Sequence, residues 1–304
     1  TIAPGDFDND GDIDYIVGNT GLNSFYRASE KYPVSVYGKD FNNDGSYDAV
    51  TSLYLPDKNH NATVKEFPAA SRDELIRQMI SMRRRYENYV SYANSTMDSV
   101  IPADQRQDAV IKHANNFASC YVRNDGSGKF SLQRLPVNAQ LSTLCGIAVS
   151  DFDGDGNLDV VINGNDYGTE VGTGRYDALN GLMMKGDGSG GFTALTIMQS
   201  GIFIPGNGKS LVQLRSSDKS YLLAAAENRG PLRIFKLKRD VNMLPAEAGE
   251  VGAIVFLKNG KKRKQEIYYG ASYLSQSSRF VAIDGNVKSV QFYNSTGATR
   301  TINF

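Results

Sequence analysis

Short apolar runs bounded by clusters of Gly, Asn, Asp and Ser dominate the chain. Tyr15-Ile16-Val17, Ala49-Val50-Thr51 and Val160-Val161-Ile162 are rich in β-branched residues and predict buried strands. Tyr32 to Gly38 alternates apolar and polar residues and predicts another strand. A different period intervenes between them. Ser71 and Glu74 form a capping box, and Leu75, Met79, Met82, Tyr86 and Tyr89 follow at intervals of four and three, which predicts one apolar helix face. Val110, Ala114 and Phe117 suggest a second helix over about 103–118, so that residues 68–118 read as a helical hairpin laid over a strand scaffold. Strand signals return at Ala118 to Arg123. Asn124 to Phe130 and Gly186 to Phe192 then read as hairpin turns. Leu211 to Leu214, Tyr221 to Ala226 and Leu232 to Phe235 predict three more strands. The tail continues with Ile254 to Leu257, an Asn259-Gly260 turn, Ile267 to Tyr269 and Val290 to Tyr293. Pro245 to Gly249 marks a boundary, giving regions 1–245 and 246–304.

The strongest chemical signal is a nine-residue acidic loop that occurs three times. It places oxygen-bearing side chains at alternate positions around an invariant sixth-place glycine. The copies supply Asp6, Asp8, Asp10, Asp12 and Asp14; Asp40, Asn42, Asp44, Ser46 and Asp48; and Asp151, Asp153, Asp155, Asn157 and Asp159. Each has Phe second and Asp ninth. Side chains at the first, third, fifth and ninth places, with a backbone carbonyl at the seventh, form an oxygen-only set suited to Ca2+, at up to three sites. An EF-hand would need a Glu at the twelfth place and flanking helices; here that place holds Val17, Thr51 or Ile162, each in a strand-like run. Asn42 removes one charge, so the middle loop is expected to bind more weakly. Turn, strand, acidic loop and strand recur as a unit, the mark of a radial β-repeat such as a propeller.

Composition narrows the function. Lys plus Arg and Asp plus Glu both number 33 in 304 residues, and this balance argues against a general nucleic-acid surface. No apolar run approaches the ~20 residues of a transmembrane helix. Cys120 and Cys145 lie in apolar stretches and are expected as buried free thiols, a single bridge being the alternative. Asn61, Asn94 and Asn294 open glycosylation triplets. Arg83 to Arg85 read as a solvated helix face, His113 as structural, and Lys261 to Lys264 as a solubilising hairpin rather than a grip on an acidic polymer. The chain starts at Thr1, five residues before the first loop, which suggests a cut inside a longer protein.

The three loops resemble the FG-GAP or VCBS repeats of integrin-α-like β-propellers, and the turns at Asn124 to Phe130 and Gly186 to Phe192 resemble the hairpins of those repeats. Gly270-Ala271-Ser272-Tyr273-Leu274-Ser275-Gln276-Ser277 is similar to the signature of the ASPIC and UnbV tail that follows VCBS repeats in surface proteins of Bacteroidetes-type bacteria. The resemblance implies a mainly β chain: a whole or partial propeller over 1–245 with a helical insertion, then a small β region over 246–304. It also implies calcium, an exported cell-surface or outer-membrane-associated location, and further blades upstream. The expected function is noncatalytic, either adhesion or the binding of a polysaccharide or surface protein. A structural spacer is one alternative. A glycan-active enzyme is another, with Asp166, Glu170, Arg175, Tyr176 or Asp177 in a polar loop after the third acidic loop. Against the enzyme stand the lack of an evident nucleophile and base pair and the absence of Trp for a sugar platform.

Overall fold

The computed structural model describes residues 1–57, 63–271 and 273–304, so Asn61 and Ser272 lie outside the described residues. The chain is mainly β, built of several small antiparallel sheets. It divides into two units, residues 1–24 with 118–304, and residues 25–117.

In the first unit, β1 (Ile2–Gly5) and β2 (Asp14–Val17) pair on either side of the first acidic loop. The second unit interrupts the chain there. It contains β3 (Val34–Lys39), β4 (Asp48–Asp57) and β5 (Thr63–Pro68), then α1 (Arg72–Gln78), α2 (Met82–Arg85), α3 (Tyr89–Ala93) and α4 (Met97–Val100), and ends in β6 (Val110–Ala114). Its sheet order is β5-β4-β3-β6. The first unit resumes with β7 (Cys120–Asn124) and β8 (Phe130–Arg134), completing a sheet ordered β1-β2-β7-β8. A second meander follows, β9 (Leu144–Ser150), β10 (Asp159–Gly164), β11 (Leu182–Gly186) and β12 (Phe192–Leu195), with the third acidic loop between its first two strands. After the single turn α5 (Ile197–Ser200), β13 (Gly208–Arg215), β14 (Tyr221–Glu227) and β15 (Arg233–Lys236) form a sheet without an acidic loop, as expected. The tail holds β16 (Asn242–Pro245), β17 (Glu250–Leu257), β18 (Lys262–Glu266), β19 (Phe280–Ile283), β20 (Val287–Asn294) and β21 (Thr299–Asn303). Here β16 pairs with β19, and the other four strands are ordered β18-β17-β20-β21.

Burial explains the uninterrupted apolar runs. Val160 and Ile162 of β10 belong to a core shared with Ala3, Ile16 and Tyr121 of the first sheet and Phe7 of the first acidic loop. Val161, between them, points the other way into a core with Leu211, Tyr221 and Leu223 of the third sheet. A strand with cores on both faces has no solvent side on which to alternate. The first strands of these sheets are neighbours, β1 beside β9 and β9 beside β13, and β1 also adjoins β18 of the tail. A closed ring of sheets is not identified among the described residues.

In the second unit, Leu75, Met79, Met82 and Tyr86 are buried together with Tyr37 and Val50, which bears out the apolar stripe. The stripe is carried by short helices rather than one long one. α1 starts at the Ser71–Glu74 capping box and ends at Met79, and Asn88 caps a fresh start, accepting from Ser91 N–H at 2.9 Å. Tyr89 consequently falls on the exposed side. The helix expected over 103–118 is not formed. Asp108 takes a left-handed φ of 62°, and Val110 to Ala114 instead satisfy the free edge of β3 as β6. His113 lies in that strand, its Nδ1 2.8 Å from Ser35 Oγ. Cys120 and Cys145 are both buried and are not joined in a disulfide.

Candidate metal centre

The three acidic loops fold by one hydrogen-bond scheme. The first carboxylate accepts from the N–H of the sixth-place glycine: Gly11 to Asp6 (3.2 Å), Gly45 to Asp40 (2.9 Å) and Gly156 to Asp151 (2.9 Å). The third side chain accepts from the fifth N–H and the fifth from the seventh, so each alternate oxygen caps a small turn. The ninth aspartate accepts from the second-place N–H: Phe7 to Asp14 (3.2 Å), Phe41 to Asp48 (2.9 Å) and Phe152 to Asp159 (2.9 Å). Left-handed φ at the sixth-place glycines, 98°, 86° and 93°, makes the curl possible. The second-place Phe anchors each loop. Phe7 and Phe152 sit in the two cores that flank β10, and Phe41 packs on the core of the second unit.

What surrounds the carboxylates differs among the loops. In the first, oxygens of Asp6, Asp8 and Asp10 lie within 4.8 Å of one another, and in the third those of Asp151, Asp153 and Asp159 do. Among the described residues the middle loop contributes to no such cluster. There Asn42 donates its amide N–H to Asp44 Oδ2 (2.9 Å) and to Gln78 O (3.3 Å), so the residue that replaced an aspartate is occupied as a donor.

The ninth aspartates of the first and third loops are also held by the next strand. Asp14 accepts from Asn124 N–H and Tyr121 O–H, both at 2.8 Å, and Asp159 accepts from Gly186 N–H at 3.0 Å. They fix the loop to its sheet. A basic residue sits one place before each of the two backbone donors, Asn124 and Gly186. Arg123 Nε approaches Asp8 Oδ2 to 2.9 Å but lies off the hydrogen-bond axis, and it is shared with Asp125 at 3.6 Å. Lys185 Nζ is clasped by Asp153 and, at 2.9 Å, by Asp155. Neither residue was singled out from sequence. The signal was present, since Arg123-Asn124-Asp125-Gly126-Ser127-Gly128 and Lys185-Gly186-Asp187-Gly188-Ser189-Gly190 align throughout.

The first and third loops touch each other, Asn9 Nδ2 donating to Asn157 Oδ1 at 3.2 Å. The tail, with Arg239 just ahead of it, closes over both. Lys264 N–H donates to Asp6 Oδ2 (2.9 Å), Arg263 Nη1 to Gly156 O (2.9 Å) and Arg239 Nη2 to Asp151 O (2.6 Å), while Arg239 Nη1 pairs with Asp284 (2.8 Å). This corrects the reading of Lys261 to Lys264 as a solubilising run. Lys261 and Lys262 are exposed, but Arg263 is only 4% exposed and lies among acidic groups of both loops. The tail signature takes part in the docking, Gln213 N–H donating to Ser277 Oγ and Ser278 N–H to Gln213 O.

Electrostatics separates the loops further. Burial pushes the Asp6 carboxyl up to about 6 from an ordinary 3.8, against the opposing effect of the Lys264 N–H. Burial likewise pushes Asp159 up to about 7, opposed by the Gly186 N–H and reinforced by Asp153. Asp8, Asp14 and Asp151 move upward for the same reason. Asp155 goes the other way: burial raises it, but the Asn157 N–H and Lys185 hold it below its usual range. Asp6 Oδ1 and Asp8 Oδ2 are buried acceptors without a hydrogen bond. The side chains of the first loop therefore fit a hard cation, since the set is oxygen-only and keeps buried acceptors that no hydrogen bond fills, Arg123 pairing with Asp8 alone among its carboxylates.

A pH dependence follows for the metal-free chain. Asp6 and Asp159 bind protons more tightly folded than unfolded. Their contribution to stability is complete below about pH 4 and is lost as pH rises through about 6 and 7. Calorimetry in chelator is expected to show the melting temperature falling over this window. Calcium should flatten the profile at its upper end, because metal binding favours the deprotonated carboxylates. A metal-free profile that rises from pH 4 to 7 would contradict this.

The residues considered for glycan chemistry do not converge. Asp166 and Tyr176 meet through paired backbone hydrogen bonds of 2.8 and 2.9 Å, Arg175 stacks on Tyr167, and Glu170, Arg175 and Asp177 are exposed. None of them lines the cavity of about 100 Å3 between β1, β9 and β18 or that of about 270 Å3 beside Tyr92. No helix among the described residues is long and apolar enough to cross a membrane. No protein-family model and no curated protein matches the chain.

Proposed function

We propose that this chain is a noncatalytic, calcium-dependent surface module whose sheets are blades of an FG-GAP/VCBS-like propeller and whose loops present a polysaccharide or surface-protein ligand. The observation that carries the reading is the first acidic loop, where a fully buried Asp6 keeps Oδ1 without a partner in an oxygen-only cluster with Asp8 and Asp10. The repeated strand–loop–strand unit and the neighbouring first strands β1, β9 and β13 support the blade arrangement. On this reading the cation rigidifies the loops where successive sheets and the tail meet. The resemblance of the loops and tail supplies the exported, cell-surface setting.

Calorimetric unfolding of the chelated chain tests the cation. A ligand that binds only the native state at a hundredfold excess over its Kd adds about 2.7 kcal/mol. Millimolar calcium is therefore expected to raise the melting temperature by about 5 °C or more, and magnesium by less. A glycan array probed in calcium and in chelator then tests the ligand, binding being expected only in calcium. No rise in calcium would remove the cation from the proposal. Calcium-independent glycan cleavage would replace the binding module with an enzyme.

A further inference from the structure

The first and third loops share the same scaffold yet differ in where positive charge already lies. In the first sheet Tyr15 pairs with Val122, and in the second Val160 pairs with Met184. Arg123 and Lys185 thus occupy equivalent places, one residue further along β7 and β11 and facing the ninth aspartates Asp14 and Asp159. Their use differs. Arg123 is divided between Asp8 and Asp125, and three buried oxygens of the first loop, Asp6 Oδ1, Asp8 Oδ2 and Asn9 Oδ1, accept no hydrogen bond. Lys185 is bound by both Asp153 and Asp155, and no buried oxygen of the third loop lacks a partner among the described residues. The Asp125 equivalent, Asp187, does not draw Lys185 away because it accepts from Ser189 and Gly191 N–H of its own turn. Two more cations adjoin the third loop, Arg239 at 3.7 Å from Asp151 and the buried Arg263.

We propose that Lys185 serves as the resident cation of the third loop, so that the chain binds one divalent ion tightly, at the first loop, and the residue facing the ninth aspartate sets whether a given loop takes metal. The proposal rests on the reading of these loops as cation sites. A flexible ammonium on the neighbouring strand neutralises the third and fifth carboxylates without leaving the chain. A divalent ion must displace it before using the same oxygens. In the first loop the equivalent Arg123 reaches Asp8 alone among the ligand carboxylates and is shared with Asp125 outside the loop.

Isothermal titration of the chelated full chain with calcium chloride tests this, with stoichiometry and affinity as readouts. Wild type is expected to bind one ion tightly. Lys185→Met is expected to add a second tight site by strengthening the third loop about tenfold or more, as removal of a cation held a few ångströms from the ligands would. Lys185→Arg should keep the wild-type pattern, and Lys185→Met/Asp153→Ala should lose the added site, which assigns it to the third loop. Lys236→Met, an equal change of net charge at an exposed residue paired with Asp218, should shift affinity less than about twofold. Two equally tight sites in wild type, unchanged in Lys185→Met, would overturn the proposal while leaving the cation reading intact. No heat and no thermal shift with any variant would overturn both.

Discussion

Replacing Arg263 with Met is expected to cost the metal-free chain about 3–5 kcal/mol of unfolding free energy, the range seen when one partner of a buried charge group is removed. Arg263 is the point at which the tail and both neighbouring loops meet. Its Nη1 holds Gly156 O, and Asp151, Asp284, Asp6 and Asp159 all act on it, while burial alone lowers its pKa. Methionine preserves most of the apolar stem, so the loss isolates the charge rather than the packing. Urea unfolding in chelator and in calcium gives two values. The deficit should be smaller in calcium, because a bound divalent ion supplies part of the missing positive charge. A deficit below about 1 kcal/mol in chelator would mean that the guanidinium is accommodated rather than required.

Asp6→Asn should change the sign of its effect with the metal. In chelator the amide removes a buried negative charge whose Oδ1 has no partner, and its oxygen can still accept from Gly11 and Lys264 N–H. The variant should then equal or exceed wild type in stability at pH 7, by roughly 1–3 kcal/mol, since one unit of pKa is about 1.4 kcal/mol. In calcium the order should reverse, because the variant lacks a charged ligand and forfeits most of the metal's stabilisation. Melting temperatures of both proteins in both buffers suffice. A variant less stable than wild type by the same amount in both buffers would make Asp6 a structural hydrogen-bond acceptor and nothing more.

Much of this site was legible in the residues. Alternating acidic positions around a fixed glycine encode a loop that its own side chains hold in shape, and such local bonding leaves a local signal. The β-branched exits announced strands, and the capping box placed the start of α1 correctly. The failures share a physical cause: they concern partners distant in sequence. Val110, Ala114 and Phe117 carry a helical period, but β3 offered an unsatisfied edge, and the segment became β6. Lys261 to Lys264 look like solvated charge until the fold brings Arg263 against loops more than a hundred residues away. Arg123 and Lys185 fall between these cases. Their alignment before two matching turns could be read, but their meaning depends on the register of β7 and β11 against β2 and β10.

The position of residues 25–117 between β2 and β7 has a consequence for the order of events during synthesis. A hairpin of β1 and β2 leaves the ribosome with one edge waiting, and its partner β7 emerges only after the whole inserted unit. Pairing β2 with β7 across so long a separation is slow unless the intervening chain is already compact, because closure entropy must be met before the contact rewards it. Early folding of the inserted unit would draw Ser24 and Ala118 together and shorten the effective loop. Asn19 N–H donating to Ser119 Oγ at 3.1 Å then pins the two chain crossings beside each other. On this view the insertion acts as an internal folding tether, and the first acidic loop acquires its complete sheet only when that tether has closed.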